Sequence, residues 1–247
     1  MRFATLRTDY GTTAARLEND ELIPLDAADV GEMLAGGGEG PGRPRADAAP
    51  VPVAEADFAP LVPRPGKVVC VGLNYRSHIL ETGRELPEYP TLFAKYAETL
   101  MGPRDDLVIP SVSEKVDWEA ELGVVIGSPV YRATPGEAAG AIAGYTVLND
   151  VSMRDWQRRT LQWLQGKMFE RTTPAGPYLV TADEVDISAQ TISTTVWGAP
   201  QASGLNTRTL ASPGIRRAAI SHSPSTVAAR SPTSRSRRSW GGTQWKN

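Results

Sequence analysis

The stretch Glu114–Gly127, EKVDWEAELGVVIG, sets acidic residues at every second position, Asp117, Glu119 and Glu121, and then runs into an unbroken apolar segment. With a strand period of two these three side chains point to one face, whereas on a helix residues two apart diverge by about 200°. The flanking GVVIG favours a strand. Carboxylates about 7 Å apart on one strand face repel by roughly 2–3 kcal/mol at an effective dielectric of about 20. Two arrangements accommodate that repulsion. One is an edge strand with a solvated acidic face. The other is an oxygen-ligand site in which a bound divalent cation reverses the repulsion.

A second acidic residue of interest follows an apolar run in GYTVLNDVSMRDW, residues 144–156. Asp150 ends a predicted strand and precedes a helix-like segment, SMRDWQRRTLQWLQ. At a strand end a side chain is held rigidly yet is reachable by a ligand, so Asp150 is a candidate third oxygen ligand. Helix capping is the alternative, because Asp150 or Ser152 can accept a backbone N–H at a helix start.

The 247 residues have ordinary apolar and charged fractions and a net charge of −2, enough chain for a sizeable core. No window approaches the ~18 consecutive apolar residues of a membrane helix, and MRFATLRTDYG lacks the apolar core of a signal peptide, so a cytoplasmic location is expected. The single cysteine, Cys70 in KVVCVGLNY, has strand-like apolar surroundings and reads as a small buried hydrophobe. RFATLR and AARLENDELIPL read as strands with turns at TDYGT and ENDE, giving a small β-rich module over residues 1–34. Residues 35–66, dominated by Gly, Pro and Ala, read as a linker. The main domain, 67–210, contains KVVCVGLNY, GVVIG, AGYTVLND and GPYLVT as strands, and strands outnumber helices. The last acidic residue is Asp186; residues 211–247 are rich in Ser, Arg and Pro and read as a disordered basic tail. The tail lacks the aromatic interleaving of a nucleic-acid binder, so no nucleic-acid or membrane partner is expected.

Taken in order, VGLNYRSHILE, PTLFAKY, VDWEAELGVVIG, AGYTVLNDVSMRDWQ, GKMFERTTPAGPYLVT and ISTTVWGAPQ resemble the fumarylacetoacetate hydrolase family over residues 67–210. The resemblance implies a mainly β fold with some α, a mixed β-sandwich roll preceded by a small N-terminal domain, in a homodimer. It implies one Mg2+ or Mn2+ held by Glu119, Glu121 and Asp150, with Asp117 left to a supporting or surface position. It also implies a water-activating dyad of His78 and Glu81, three residues apart in NYRSHILE, where the carboxylate orients the imidazole. Lys167 of LQGKMFE matches a lysine that stabilises an enolate, and Lys95 of LFAKY is placed in the same pocket as a substrate-binding residue. The implied function is divalent-metal-dependent hydrolysis of a C–C bond in a small diketo acid of the acylpyruvate, fumarylpyruvate or fumarylacetoacetate type. Oxaloacetate decarboxylation and isomerisation or decarboxylation of a hydroxyhepta-diene-dioate are alternatives within the family. After ISTTVWGAPQ the family continues with further helix and strand and a Thr-Gly-Thr-Pro-like turn. That continuation is not found here, which predicts a reading-frame shift or equivalent rearrangement near residues 204–215, an incomplete catalytic domain, and an inactive relic as a further alternative.

Overall fold

Residues 2–24 form three antiparallel strands, β1 (Arg2–Thr8), β2 (Gly11–Glu18) and β3 (Glu21–Pro24), as the apolar alternation and turn residues predict. At the β2–β3 turn Asn19 and Asp20 have φ of 46° and 66°. A two-residue hairpin loop of the favoured hand needs two left-handed residues in succession, and Asn and Asp tolerate that region. This computed structural model describes residues 1–36, 42–81, 83–190, 192–196 and 199–201.

Helix α1 (Val30–Ala35) starts at Asp29, whose carboxylate accepts from the Glu32 N–H at 2.9 Å. The two-residue β4 (Val51–Pro52) adds to β3. After it come β5 (Val68–Gly72), α2 (Arg76–Glu81) and β6 (Thr91–Lys95), with β5 and β6 forming an antiparallel pair. Next are β7 (Leu100–Met101), β8 (Val116–Asp117), β9 (Ala120–Ile126), α3 (Pro135–Gly140) and β10 (Ile142–Asn149). The chain continues through β11 (Ser152–Met153), α4 (Arg154–Gln157), α5 (Leu164–Lys167), β12 (Thr173–Pro174) and β13 (Leu179–Thr181), and then β14 (Thr194–Val196) and β15 (Ala199–Gln201).

Seven strands make the main sheet in the order β4-β3-β2-β1-β13-β10-β9. Strands of the expected 1–34 module and of the expected 67–210 domain therefore share hydrogen bonds, with Arg2 opposite Val180 and Tyr145 opposite Val180 on the other side. The division at residue 66 thus concerns folding units only and stays a proposal. Both faces of β1 are covered. Phe3 packs with Leu25, Val30, Leu61 and Leu179, while Ala4 and Leu6 on the opposite face pack with Leu22, Ala56 and Phe58. Thr5 ties the layers: its hydroxyl donates to the Leu61 carbonyl at 2.7 Å and accepts from the Val30 N–H at 3.1 Å.

Past Ala35, which ends α1, the described part of 35–66 holds only β4 as named secondary structure, as its Gly, Pro and Ala content predicts, yet it contributes to the core. Ala56, Phe58, Ala59 and Leu61 are buried. Its backbone bonds to β1 through Arg7 N to Asp57 O at 2.8 Å and Ala59 N to Thr5 O at 2.9 Å, along the part of β1 that β13 does not reach. A composition filter reads the prolines and misses the four apolar side chains between them. Two further expectations change in detail. The helix-like SMRDWQRRTLQWLQ is two single turns, α4 and α5, because Gly166 packs so tightly on the first turn that a Cβ there would lie 2.5 Å from the Gln157 backbone nitrogen. Within ISTTVWGAPQ, expected as one strand, Thr194–Val196 and Ala199–Gln201 are two strands paired antiparallel. The expected disordered tail, 211–247, and the expected loss of the C-terminal part of the fold lie outside the described residues. Among those residues no helix is long and apolar enough to cross a membrane.

Two measurements test this packing. A Cβ on Gly144 would sit 2.1 Å from the Val180 carbonyl oxygen, a main-chain atom of β13 that cannot rotate away. Gly144→Ala is expected to lower unfolding free energy by about 1–3 kcal/mol in a denaturant titration. Asp105 accepts from Arg7 Nη2 at 2.6 Å, the Gly102 N–H at 2.8 Å and Arg171 Nη2 at 3.0 Å. Burial disfavours its charge, but the Arg7 hydrogen bond, helped by Gly102, outweighs burial and holds the carboxyl below the usual range. Its stabilisation is therefore complete above pH about 4 and lost as pH falls through the lowered folded value. Asp105→Asn should cost about 1–3 kcal/mol at neutral pH and flatten the acid limb of the stability profile.

Candidate active site

The acidic cluster is assembled where the start of β9 meets the end of β10. The register sets Ala120 opposite Asn149 and Glu121 opposite Leu148. Continued by one residue it sets Glu119 opposite Asp150, and the Asp150 N–H does donate to the Glu119 carbonyl at 2.9 Å. Glu119 and Glu121 share a strand face, and Asp150 joins that face from the neighbouring strand, one partner directly across and the other diagonal. Asn149, buried just before Asp150, accepts from the Glu119 N–H at 3.0 Å and locks the corner. Carboxylate oxygens of Glu119, Glu121 and Asp150 consequently lie within 4.8 Å of one another.

The expected single acidic strand is broken. Asp117 belongs to β8, which pairs with β11, and Trp118 and Glu119 lie between β8 and β9. The expected capping of a helix by Asp150 or Ser152 is absent: Met153 precedes α4 without a side-chain cap, and the Ser152 hydroxyl donates to the Asp150 carbonyl at 2.8 Å.

Three buried cations from three elements converge on the carboxylates. Lys95, at the end of β6, donates to Asp150 Oδ1 at 2.7 Å and to the Lys167 carbonyl. Lys167, at the end of α5, donates to Glu119 Oε2 at 2.6 Å and Asp150 Oδ2 at 2.9 Å, and lies 5.4 Å from the Phe93 ring centre. Arg154, opening α4, lies 2.6 Å from Glu119 Oε1 and 2.8 Å from Asp117 Oδ2. Both lysines singled out by the sequence thus come to the cluster. Arg154 was not singled out, since its basic neighbours in MRDWQRR give no sign of which one turns inward. The signal available was its position, four residues after Asp150 at a strand end.

The electrostatics separate the two glutamates. Burial disfavours the Glu119 charge, but Lys167 and Arg154 outweigh it and hold that carboxyl below its usual range. Glu121 has no cationic partner within ion-pair distance among the described residues. Burial first, and then the charges of Asp150 and Glu119, push it up to about 8. Lys167, despite burial, is raised by Asp150 and Glu119 and stays an ammonium. Cys70 is half-buried rather than buried as expected from its apolar neighbours, and burial, then Asp150 and Glu121, push its thiol up to about 12. Among the described residues the cluster is made of three carboxylates, a donor set that suits a hard divalent cation, and such a cation would relieve the repulsion that adds to burial in raising Glu121.

The walls come from β5, β6 and the two helical turns. Trp163 packs edge-on against Phe93 at 5.7 Å, and its ring fills the space a Cβ on Gly72 would need, 2.2 Å away. Tyr75 is half-buried, its hydroxyl pushed up by burial and by the Glu121 charge. Trp156 packs on Phe169 at 5.5 Å and carries Arg159 over its other face at 3.6 Å, a structural position away from the carboxylates. The backbone of α2 is helical over Arg76–Glu81, the condition under which His78 and Glu81 share a face; their side chains lie outside the described residues.

Comparison with known proteins bears on this site. The family described as fumarylacetoacetate (FAA) hydrolase C-terminal matches residues 67–222, twelve residues beyond the expected boundary. The mitochondrial oxaloacetate tautomerase of Homo sapiens is 47% identical over 146 residues, 57% of this chain and 46% of that protein. The chain spans about half the length of the curated relatives it matches. Among solved structures, the fumarylacetoacetate hydrolase of psychrophilic Exiguobacterium antarcticum superposes with a TM-score of 0.70 at 26% identity, covering 81% of this chain and 73% of that one. The 2-hydroxyhepta-2,4-diene-1,7-dioate isomerase of Mycobacterium marinum does so with a TM-score of 0.64 at 29% identity, again covering 81% and 73%. The matched family spans well over half of the residues, and the chain belongs to the fumarylacetoacetate hydrolase family.

Proposed function

We propose that this protein is a divalent-cation-dependent enzyme that acts on small oxo-acids through their enolate forms, with Glu119, Glu121 and Asp150 as the ligands of Mg2+ or Mn2+. The observation that carries this reading is the meeting of those three carboxylates within 4.8 Å, beside a buried ammonium, Lys167. A bound divalent cation supplies Lewis-acid polarisation of neighbouring carboxylate and carbonyl oxygens.

The chain's own groups account for the rest. Lys167 spends two N–H donors on Glu119 and Asp150, and the third is available to an enolate oxygen as its negative charge develops. Lys95, held by Asp150 and the Lys167 carbonyl, fixes the α5 turn that carries Lys167 and adds positive potential to the pocket. The primary reaction we assign is hydrolysis of an acylpyruvate-type diketo acid. His78, oriented by Glu81, takes a proton from water, the water oxygen bonds to the distal acyl carbon, and the C–C bond breaks. Its electron pair becomes the enolate of the pyruvate fragment and is then protonated. A second reading is oxaloacetate keto–enol tautomerisation, favoured by the 47% identity to the human tautomerase. It needs the same enolate stabilisation and no attacking water. Assembly as a homodimer and a cytoplasmic location remain part of this proposal.

The two reactions separate in one panel. Purified protein with Mg2+ or Mn2+ is offered acetylpyruvate and oxaloacetate, with chelator and Glu121→Ala as controls. Pyruvate release from acetylpyruvate that disappears with chelator supports hydrolysis. Accelerated decay of the oxaloacetate enol signal alone supports tautomerisation, and turnover of neither substrate counts against the assignment. His78→Ala should lower hydrolysis by about 100- to 10,000-fold, the usual contribution of a general base, with tautomerisation less affected.

A further expectation concerns the apo protein. Lys95→Met leaves Asp150 short of one buried counter-ion and should lower unfolding free energy by about 3 kcal/mol, at the low end for a broken buried pair because Lys167 remains. Saturating Mg2+ should recover part of that loss in a thermal melt, since the cation replaces the missing charge.

A further inference from the structure

Asp117 is the one carboxylate of the DWEAEL segment that the reading above leaves without a task. It is 2% exposed, and its charge is met on one side by Arg154, whose Nε and Nη2 approach Oδ2 at 2.9 and 2.8 Å. Its other oxygen accepts from the Trp118 N–H at 3.0 Å. From this anchored edge the guanidinium reaches Glu119 Oε1 with Nη2 at 2.6 Å and Gln157 Oε1 with Nη1 at 2.7 Å. The backbones are fastened to one another as well. Ser152 is opposite Asp117 in the β8–β11 pair, and the Arg154 N–H donates to the Lys115 carbonyl at 2.7 Å.

We propose that Asp117 is a positioning residue that acts through Arg154 to hold the Glu119 carboxylate in the orientation in which it takes the divalent cation. This inference rests on the reading of Glu119 as a ligand. A glutamate has three rotatable side-chain bonds, and fixing one of its oxygens from behind leaves the other, Oε2, on the side of Lys167 and Asp150. Arg154 can do this only if its own plane is fixed, and the two contacts from Asp117 along one guanidinium edge do that. A buried ion pair of this kind adds little net stability over an apolar pair of similar size, so orientation is what the arrangement distinctively provides. Arg154 itself is engaged by three side-chain acceptors, those of Asp117, Glu119 and Gln157.

The test uses the full chain and Mn2+ alone as probe, with affinity read by calorimetry and by the loss of the free-ion paramagnetic resonance signal. Asp117→Asn keeps the shape and removes the charge; Arg154→Lys keeps the charge and removes the planar fork. Each is expected to weaken Mn2+ binding by about 10- to 100-fold, the usual effect of removing a group that orients a metal ligand. The double variant should bind no more weakly than the weaker single one, because both changes release the same clamp. A purely structural role predicts lowered thermal midpoints with wild-type Mn2+ affinity in both variants, and that result overturns the proposal while leaving the ligand assignment intact. Independent, multiplicative losses in the double variant also overturn it. Absence of saturable Mn2+ binding by the unaltered protein overturns the ligand assignment and this inference together.

Discussion

The repulsion among carboxylates gathered where the start of β9 meets the end of β10 is the constraint around which this half of the chain is arranged. Asp117 and Asp150 are buried and Glu119 and Glu121 half-buried, so water screens them poorly and their compensation comes from elsewhere in the chain. The three cations that supply it stand at the ends of elements distant in sequence: Lys95 at the end of β6, Arg154 at the start of α4, Lys167 at the end of α5. Each element would be marginal alone, being a short strand or a single helical turn. Docking on the acidic corner gives each of them a fixed place, so that charge compensation and tertiary organisation are one event. The compensation is also incomplete, since three cations face four carboxylates, and burial with the neighbouring charges pushes the Glu121 carboxyl up to about 8.

Much of the strand content was legible because period-two alternation and turn residues are local signals. β1, β2, β3, β9 and β10 fall where the pattern puts them, with the β2–β3 turn in ENDE. For the clustered acids parity puts Glu119 and Glu121 on one face, but it leaves a solvated edge open for them and capping for Asp150, and the resemblance to the family is what joins the three. What escaped is long-range. Phe58 and Leu61 enter the core from a stretch whose prolines forbid regular structure but not burial. Arg154 points inward because Asp117 and Glu119 await it, which a local reading of MRDWQRR does not reveal. The broken helix over residues 152–167 likewise follows from contact between its two turns at Gly166.

Sequence pattern understated Asp117 in particular. Its place in the acidic alternation suggested one continuous face, yet the break after β8 turns it into a different small sheet, with a buried arginine between it and Glu119. Residues equally spaced along a chain can therefore differ in kind, one group facing the pocket and another bracing it from behind.

The insertion of β13 between β1 and β10 carries a consequence for how the protein reaches this state. Arg2 finds its partner in Val180, and Tyr145 pairs with the other side of that same residue. During synthesis the N-terminal hairpin emerges first and must wait, one edge unsatisfied, until the segment around residue 180 has left the ribosome. The sheet's centre is thus its last part to close, which gives the fold a high contact order and a slow final step. In that interval the open edges of β1 and β10 are templates for any other extended chain, and a chaperone that shields them would raise yield without altering the finished protein.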